Sequence, residues 1–230
     1  MIDVNLYESV FKQPTNEYSA YWVGFLMADG CIKKTPKSYC IVNLELTETD
    51  LTHIEKFKKF VNSNNKIYWI HRNDKREKWS NSKPMVGLSI TSQTMVNDLA
   101  NYGVIPSKSK IADVMLLQNN KHFWRGLIDG DGSITSIHSG KNPSLEFAGS
   151  FNLVNKFAIF VHSEIFNHKS SVRKTKIKDF YKISFNGSSG VKVIKHLYEN
   201  TNVSLDRKMS RAKHVLECKD GMYDGKSSCN

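Results

Sequence analysis

Two short segments of this chain repeat one another. They are Trp22-Val23-Gly24-Phe25-Leu26-Met27-Ala28-Asp29-Gly30 and Trp124-Arg125-Gly126-Leu127-Ile128-Asp129-Gly130-Asp131-Gly132. Each is largely apolar, carries small residues four apart, and ends in Asp-Gly. The stretch from Asn16 to Asp29 has almost no polar face, and a helix apolar nearly all round is buried on several sides. It is too short to span a membrane, so it belongs in a protein core. Gly24 and Ala28 share one face, as do Gly126 and Gly130. Glycine inside a helix costs about 1 kcal/mol relative to alanine, and close approach of a second helix offsets that cost. The simplest partner is the other copy. The spacing therefore predicts two helices side by side on a pseudo-twofold axis. Gly24, Ala28, Gly126 and Gly130 form their interface, and Gly30 and Gly132 cap their C-termini.

Each copy also brings one carboxylate to the same place. Asp29 and Asp131 fall at helix C-termini, where the macrodipole disfavours negative charge. Two such acids on touching helices repel and raise a pKa unless a divalent cation such as Mg2+ sits between them. Hard oxygen ligands on a basic chain point to metal-assisted phosphodiester hydrolysis. A single Asp-Gly reads as an ordinary turn dipeptide; the matched pair outweighs that reading. Asp129-Gly130-Asp131-Gly132-Ser133 also looks like the start of a calcium loop. That loop needs glycine at its sixth position and glutamate at its twelfth, and Ile134 and Gly140 stand there instead.

The duplication continues past the motifs. In the first copy a strand is predicted over Tyr39 to Leu46, then a helix from Asp50 to Val61 with Leu51, Ile54, Phe57, Phe60 and Val61 on one face. Strands follow at Lys66 to Asp74 and Met85 to Thr91, then a helix from Gln93 to Tyr102. The second copy repeats the order. Its strand is Leu145 to Gly149, its helix Asn152 to His162, its strand pair Ser171 to Lys178 and Phe180 to Phe185, and its last helix Val191 to Glu199. This is an α+β chain of two αββαββ(α) repeats, residues 1–111 and 112–217, followed by a loose tail at 218–230.

The net charge of +11 over 230 residues suggests a polyanionic partner, nucleic acid before an anionic membrane surface. Cys31, Cys40, Cys218 and Cys229 form no CxxC pair, which excludes the usual zinc and disulfide frameworks and suggests a reducing compartment. Met1-Ile2-Asp3-Val4-Asn5 lacks a signal-peptide layout. The expectation is a soluble, intracellular protein that is not secreted and does not enter a membrane.

Gly126-Leu127-Ile128-Asp129-Gly130-Asp131-Gly132-Ser133-Ile134 and Gly24-Phe25-Leu26-Met27-Ala28-Asp29-Gly30 resemble the motifs of the LAGLIDADG homing endonucleases, in the single-chain form that carries two of them. Met27 stands where the family often has aspartate. The resemblance spans residues 15–215. It implies packed central motif helices, two saddle-shaped antiparallel sheets lying in a DNA major groove, and a monomer that makes a staggered double-strand break in a long specific target. It further implies catalytic Mg2+ held by Asp29 and Asp131 with the carbonyls of Ala28 and Gly130. Mn2+ would substitute, and Ca2+ would support binding without cleavage. Two family features are less well matched. Glu48 is the best candidate for a water-organising residue in the first half, whereas Ala148-Gly149-Ser150 offers little in the second. The fourth strands end in Thr91-Ser92 and Asn186-Gly187 where a catalytic lysine is often found, and Lys182 is a weak substitute. The fold also serves as an intron RNA maturase or as a non-catalytic DNA-binding protein, and both stay open as alternatives.

The fold would turn two basic segments towards DNA. One contains Arg72, Lys75, Arg76 and Lys78; the other contains Arg173, Lys174, Lys176 and Lys178. Such side chains anchor phosphates or read guanine edges. Lys108, Arg207, Lys208 and Arg211 follow the last helices and are expected to contact phosphate or to support structure.

Overall fold

The computed structural model describes residues 7–34, 40–70, 83–108, 111–114, 116–135, 142–166 and 170–218. The first repeat runs α1 (Glu17–Ala28), β1 (Gly30–Lys34), β2 (Cys40–Thr47), α2 (Leu51–Phe60), β3 (Tyr68–Ile70), β4 (Met85–Thr91) and α3 (Gln93–Ala100). The second runs α4 (Lys121–Asp131), β5 (Ser133–Thr135), β6 (Ser144–Gly149), α5 (Phe151–Glu164), β7 (Arg173–Lys174), β8 (Tyr181–Asn186) and α6 (Ser188–Tyr198), and then adds α7 (Asp206–Glu217). Each repeat builds one antiparallel four-stranded sheet, ordered β1-β2-β4-β3 and β5-β6-β8-β7.

Alternation along the strands decides which sheet face is covered. In β2 and β4, Val42, Leu44, Leu46, Val86, Leu88 and Ile90 are buried, and Leu145, Phe147, Ile183 and Phe185 do the same in the second sheet. Helices pack on those faces through aromatic clusters, Trp22 on Phe57 at 4.9 Å and Trp124 on Phe157 at 5.1 Å between ring centroids. The opposite faces carry Asn43, Glu45 and Ser89, and Glu146, Lys182 and Ser184.

The two motif helices meet through their small residues. A Cβ on Gly24 would lie 2.0 Å from the Phe123 carbonyl oxygen, and one on Gly126 would lie 2.0 Å from that of Tyr21. A Cβ on Gly130 would lie 2.4 Å from that of Ala28. No larger residue fits at either central glycine without parting the helices. From Ser19 to Met27 every residue of α1 is buried, which accounts for its lack of a polar face.

Several boundaries differ from the sequence expectation. Gly132 does cap α4, in extended rather than left-handed geometry, but Gly30 is the first residue of β1 and Asp29 is the cap of α1. The strand expected from Ser171 to Lys178 shrinks to Arg173–Lys174. Beyond it Thr175 Oγ1 accepts from Ile177 N–H at 3.1 Å and Asp179 takes a left-handed φ of 60°, so the chain turns back into β8. Helix α7 was not anticipated, because its apolar stripe of Met209, Ala212, Val215 and Leu216 is narrow and flanked by lysines and arginines. Among the described residues no helix is long and apolar enough to cross a membrane.

Candidate metal centre and nucleic-acid interface

Both acids emerge where α1 and α4 run out side by side. Asp29 is partly buried, and Asp131, last residue of α4, is exposed. Asp29 reaches across the helix pair: a Cβ on Gly130 would lie 3.0 Å from its Oδ2. Burial, and next the negative charge of Asp131, push Asp29 up to about 6, against the pull of Arg207, Lys108 and Lys208. Asp131, though it keeps open surface, is also raised by the protein packed around its carboxyl, with Lys108 and Lys208 opposing. Two carboxylates close enough for the charge of Asp131 to raise Asp29 suit a hard divalent cation. Among the described residues no third Asp, Glu, His or Cys joins them to make a fuller ligand cluster. Mg2+ is typically held by one or two carboxylates with waters and substrate phosphates completing its shell, and Asp29 and Asp131 supply carboxylates in that number.

Two buried lysines flank the acids with the same pseudo-symmetry. Lys108 donates to the Gly30 carbonyl, and Lys208 to the carbonyls of Gly132 and, at 3.1 Å, Ile128. Each thus grips the backbone just past its repeat's acid. Desolvation brings Lys208 down to about 8 and lowers Lys108 as well. Two lysines thus reach the acids from the segments behind α3 and α6, not from the fourth strands. Their sequence signal is that each repeat's last sheet-packing helix is followed by a basic residue, Lys108 in one and Arg207-Lys208 in the other.

Asp129, two residues before Asp131, is fully buried, and its carboxylate is taken up by hydrogen bonds within the protein. Its Oδ1 accepts from Tyr198 Oη at 2.6 Å. Its Oδ2 accepts from Tyr21 Oη and from Leu205 N–H, both at 2.7 Å. In the first repeat Met27 takes the equivalent place.

No protein-family model matches the sequence, and no curated protein matches it. Solved structures do match in fold. I-GzeII in complex with its DNA target shares 11% identity, covers 92% of this chain and 93% of its own, and superposes with a TM-score of 0.58. The LAGLIDADG meganuclease I-AabMI bound to uncleaved DNA shares 12% identity over 91% of this chain and all of its own, with a TM-score of 0.56. I-SmaMI bound to an uncleaved DNA target in the presence of calcium ions shares 15% identity over 89% and 92%, with a TM-score of 0.55. The fold is that of the LAGLIDADG homing endonucleases. Lysine-to-alanine mutants of I-SmaMI are among the structures that match.

On this LAGLIDADG scaffold the remaining candidate residues fall unevenly. Arg173 and Lys174 lie exposed on β7, and Lys176 and Lys178 lie exposed in the following turn. Arg72, Lys75, Arg76 and Lys78 lie outside the described residues. Lys182 forms an ion pair with Glu146 at 2.9 Å on the solvent face of the second sheet. Glu48 is exposed in a 3-10 turn at the end of β2. In the strand register Gly30 opposes Leu44, so Glu45 stands one residue from that pair and Glu48 four. Glu45 was not singled out from sequence. It accepts from Asn43 Nδ2 and Tyr68 Oη, each at 2.9 Å. Gly87 makes room for that phenol: a Cβ there would lie 2.5 Å from the Tyr68 ring.

Proposed function

We propose that this chain is a monomeric, divalent-metal-dependent endonuclease that makes a staggered break in a long, specific DNA site. The observation that carries the reading is the convergence of Asp29 and Asp131 at the ends of two helices packed glycine to backbone. A single chain supplies both helices, so the pair is complete without a second copy. The net charge of +11 supports a nucleic-acid partner, as does the fold shared with DNA-bound homing endonucleases.

Asp29 and Asp131, with the carbonyls of Ala28 and Gly130, would hold Mg2+. When bound, the metal supplies a water that is nucleophilic near neutral pH and stabilises charge on the leaving oxygen. The chain's own residues prepare that site. The glycine contacts fix the separation of the two acids. Lys108 and Lys208 hold the backbone behind them and lend positive charge where a scissile phosphate gathers negative charge. The exposed cations Arg173, Lys174, Lys176 and Lys178 would anchor phosphates on the second half of the target, and the polar sheet faces would read base edges. The outer faces differ, Asn43-Glu45-Tyr68-Ser89 against Glu146-Lys182-Ser184, so the target should be asymmetric.

Selection of cleaved sites from a randomised duplex library tests this reading. Mg2+ or Mn2+ should yield one long non-palindromic site with staggered ends, and Ca2+ should give a stable complex without product. A folded protein that cuts no member of the library with either Mg2+ or Mn2+ overturns it.

A further inference from the structure

The loop that joins α6 to α7 is tied down residue by residue. Glu17, in the first turn of α1, accepts from the backbone N–H and the side-chain amide of Asn202, each at 2.8 Å, and from Val203 N–H at 3.4 Å. Arg125, wholly buried in α4, donates to Val203 O at 2.9 Å, to Leu197 O at 3.3 Å and to Glu17 at 2.7 Å. Lys56 of α2 donates to Ser204 O at 3.2 Å, and Asp129 accepts from Leu205 N–H at 2.7 Å. Each residue from Asn202 to Leu205 is thus held from outside the loop, partly by the opposite repeat. Helix α7 follows at once, its Lys208 N–H donating to Leu205 O at 2.9 Å.

The first repeat has no counterpart of the Glu17–Arg125 pair among its described residues; its segment after Lys108 is held from α5 alone, Ser150 Oγ donating to Ala112 O, and Lys156 Nζ to Val114 O at 2.5 Å and to Asp113 at 2.7 Å. Aligning the two motifs places Asn119 opposite Glu17, Val23 opposite Arg125 and Met27 opposite Asp129. Val23 and Met27 have no polar group to offer. Instead the Met27 methyl packs under Gly103, 3.1 Å from where a Cβ would sit, while Gly103 itself turns with a φ of 85°. Tyr102 Oη also donates to Lys12 O, at 3.0 Å.

From this inequality we propose that Glu17 and Arg125 are positioning residues for Lys208. By fixing residues 202–205 they set the start of α7, and through it the lysine at the Ile128 and Gly132 carbonyls. The half-site of Asp131 and Lys208 then depends on the clamp, and the half-site of Asp29 and Lys108 does not. The proposal rests on the endonuclease reading and assigns a difference between the two strand cuts to named residues.

Two variants test it. Glu17→Gln keeps an acceptor for Arg125 but removes the charge, and Asn202→Ala trims only the side-chain contact of an exposed residue. Amide hydrogen exchange on the metal-free protein should show Val203 and Leu205 exchanging about tenfold faster in Glu17→Gln. On the selected duplex with each strand end-labelled, one strand should be cut about ten- to a hundredfold more slowly and the other within about twofold of the parent. Affinity in Ca2+ should not change. Asn119→Ala, at the matching place in the other repeat, should leave both cuts at the parent rate. Equal slowing of both strands, slowing of neither, or unchanged exchange overturns the proposal. If the parent cuts no DNA at all, the endonuclease reading fails, and the exchange measurement alone decides whether the clamp exists.

Discussion

Tyr21 Oη donates to Asp129 Oδ2 at 2.7 Å, so the two motif helices are joined by a buried hydrogen bond as well as by their glycine contacts. The bond sits in a chain of polar groups. Asp129 also accepts a hydrogen bond from Tyr198 Oη, while His53 Nε2 lies 3.1 Å from the Tyr21 oxygen. Burial and the neighbouring Asp129 hold both tyrosines well above their ordinary pKa, so they stay donors. The centre of the fold therefore contains an acid that is structural, two residues from one proposed to bind metal.

Removing Asp129 should cost far more than removing one of its donors. Asp129→Ala leaves the Tyr198 phenol and the Leu205 N–H buried without a partner and leaves Tyr21 only His53, and should destabilise by about 3 kcal/mol or more. Tyr198→Phe deletes one hydrogen bond and should cost about 1 kcal/mol. Urea denaturation of the metal-free protein measures both. Equal losses would mean that Asp129 is not the hub of the network.

Gly24→Ala tests the helix contact. Its added Cβ would meet the Phe123 carbonyl oxygen at 2.0 Å, which is backbone and cannot swing away. The helices must separate, at a cost of about 2 kcal/mol or more. Gly149→Ala is the control, since a Cβ there meets only ordinary contacts at 3.6 Å and beyond. It should change stability by less than about 1 kcal/mol. Thermal unfolding of the two variants should separate them clearly, and similar melting temperatures would contradict the packing described.

Acid should act through His53. Burial, and next the nearby Lys56, lower this imidazole from 6.5 to about 3. Its Nδ1 has no hydrogen-bond partner, so a second ring proton would be buried unpaired. Between those two pH values the unfolded chain binds a proton that the folded chain refuses. Stability is therefore lost as pH falls below 6.5, by at most about 1.4 kcal/mol per unit. Asp29 works in the opposite sense: its folded value of about 6 lies above the ordinary 3.8, so the folded chain gains a proton, and stability, as pH falls between them. The difference between parent and His53→Gln removes the Asp29 contribution. The parent should lose ground to the variant from pH 6.5 downward, and parallel stability profiles would contradict this account.

The sequence pattern carried the architecture further than the chemistry. Gly24, Ala28, Gly126 and Gly130 could be read as a helix contact because their spacing has one simple geometric meaning. The sheets could be read from alternation, as in Val42, Leu44 and Leu46 against Asn43 and Glu45. What brings Lys108 and Lys208 to the acids is a long-range path through four strands and two helices of each repeat, which no local period encodes. Glu17 looked like an ordinary first-turn acid for the same reason. Its partners Asn202 and Val203 lie in the other repeat, more than 180 residues along the chain.

The basic strand β7 should contribute by counterion release. Arg173→Ala and Lys174→Ala should each weaken binding across unrelated sequences and reduce the slope of log affinity against log salt by about one. Fluorescence anisotropy over a salt series measures it. An unchanged slope in both variants would remove these residues from the interface.

The most direct test of the central claim is strand cleavage of the selected duplex, in Mg2+, by the parent, Asp29→Asn and Asp131→Asn. Each substitution keeps the size of the side chain and removes the charge a cation needs. The parent should cut both strands, and each variant should bind the duplex in Ca2+ but lose double-strand cleavage. If either variant cuts both strands at the parent rate, the paired acids are not the metal centre.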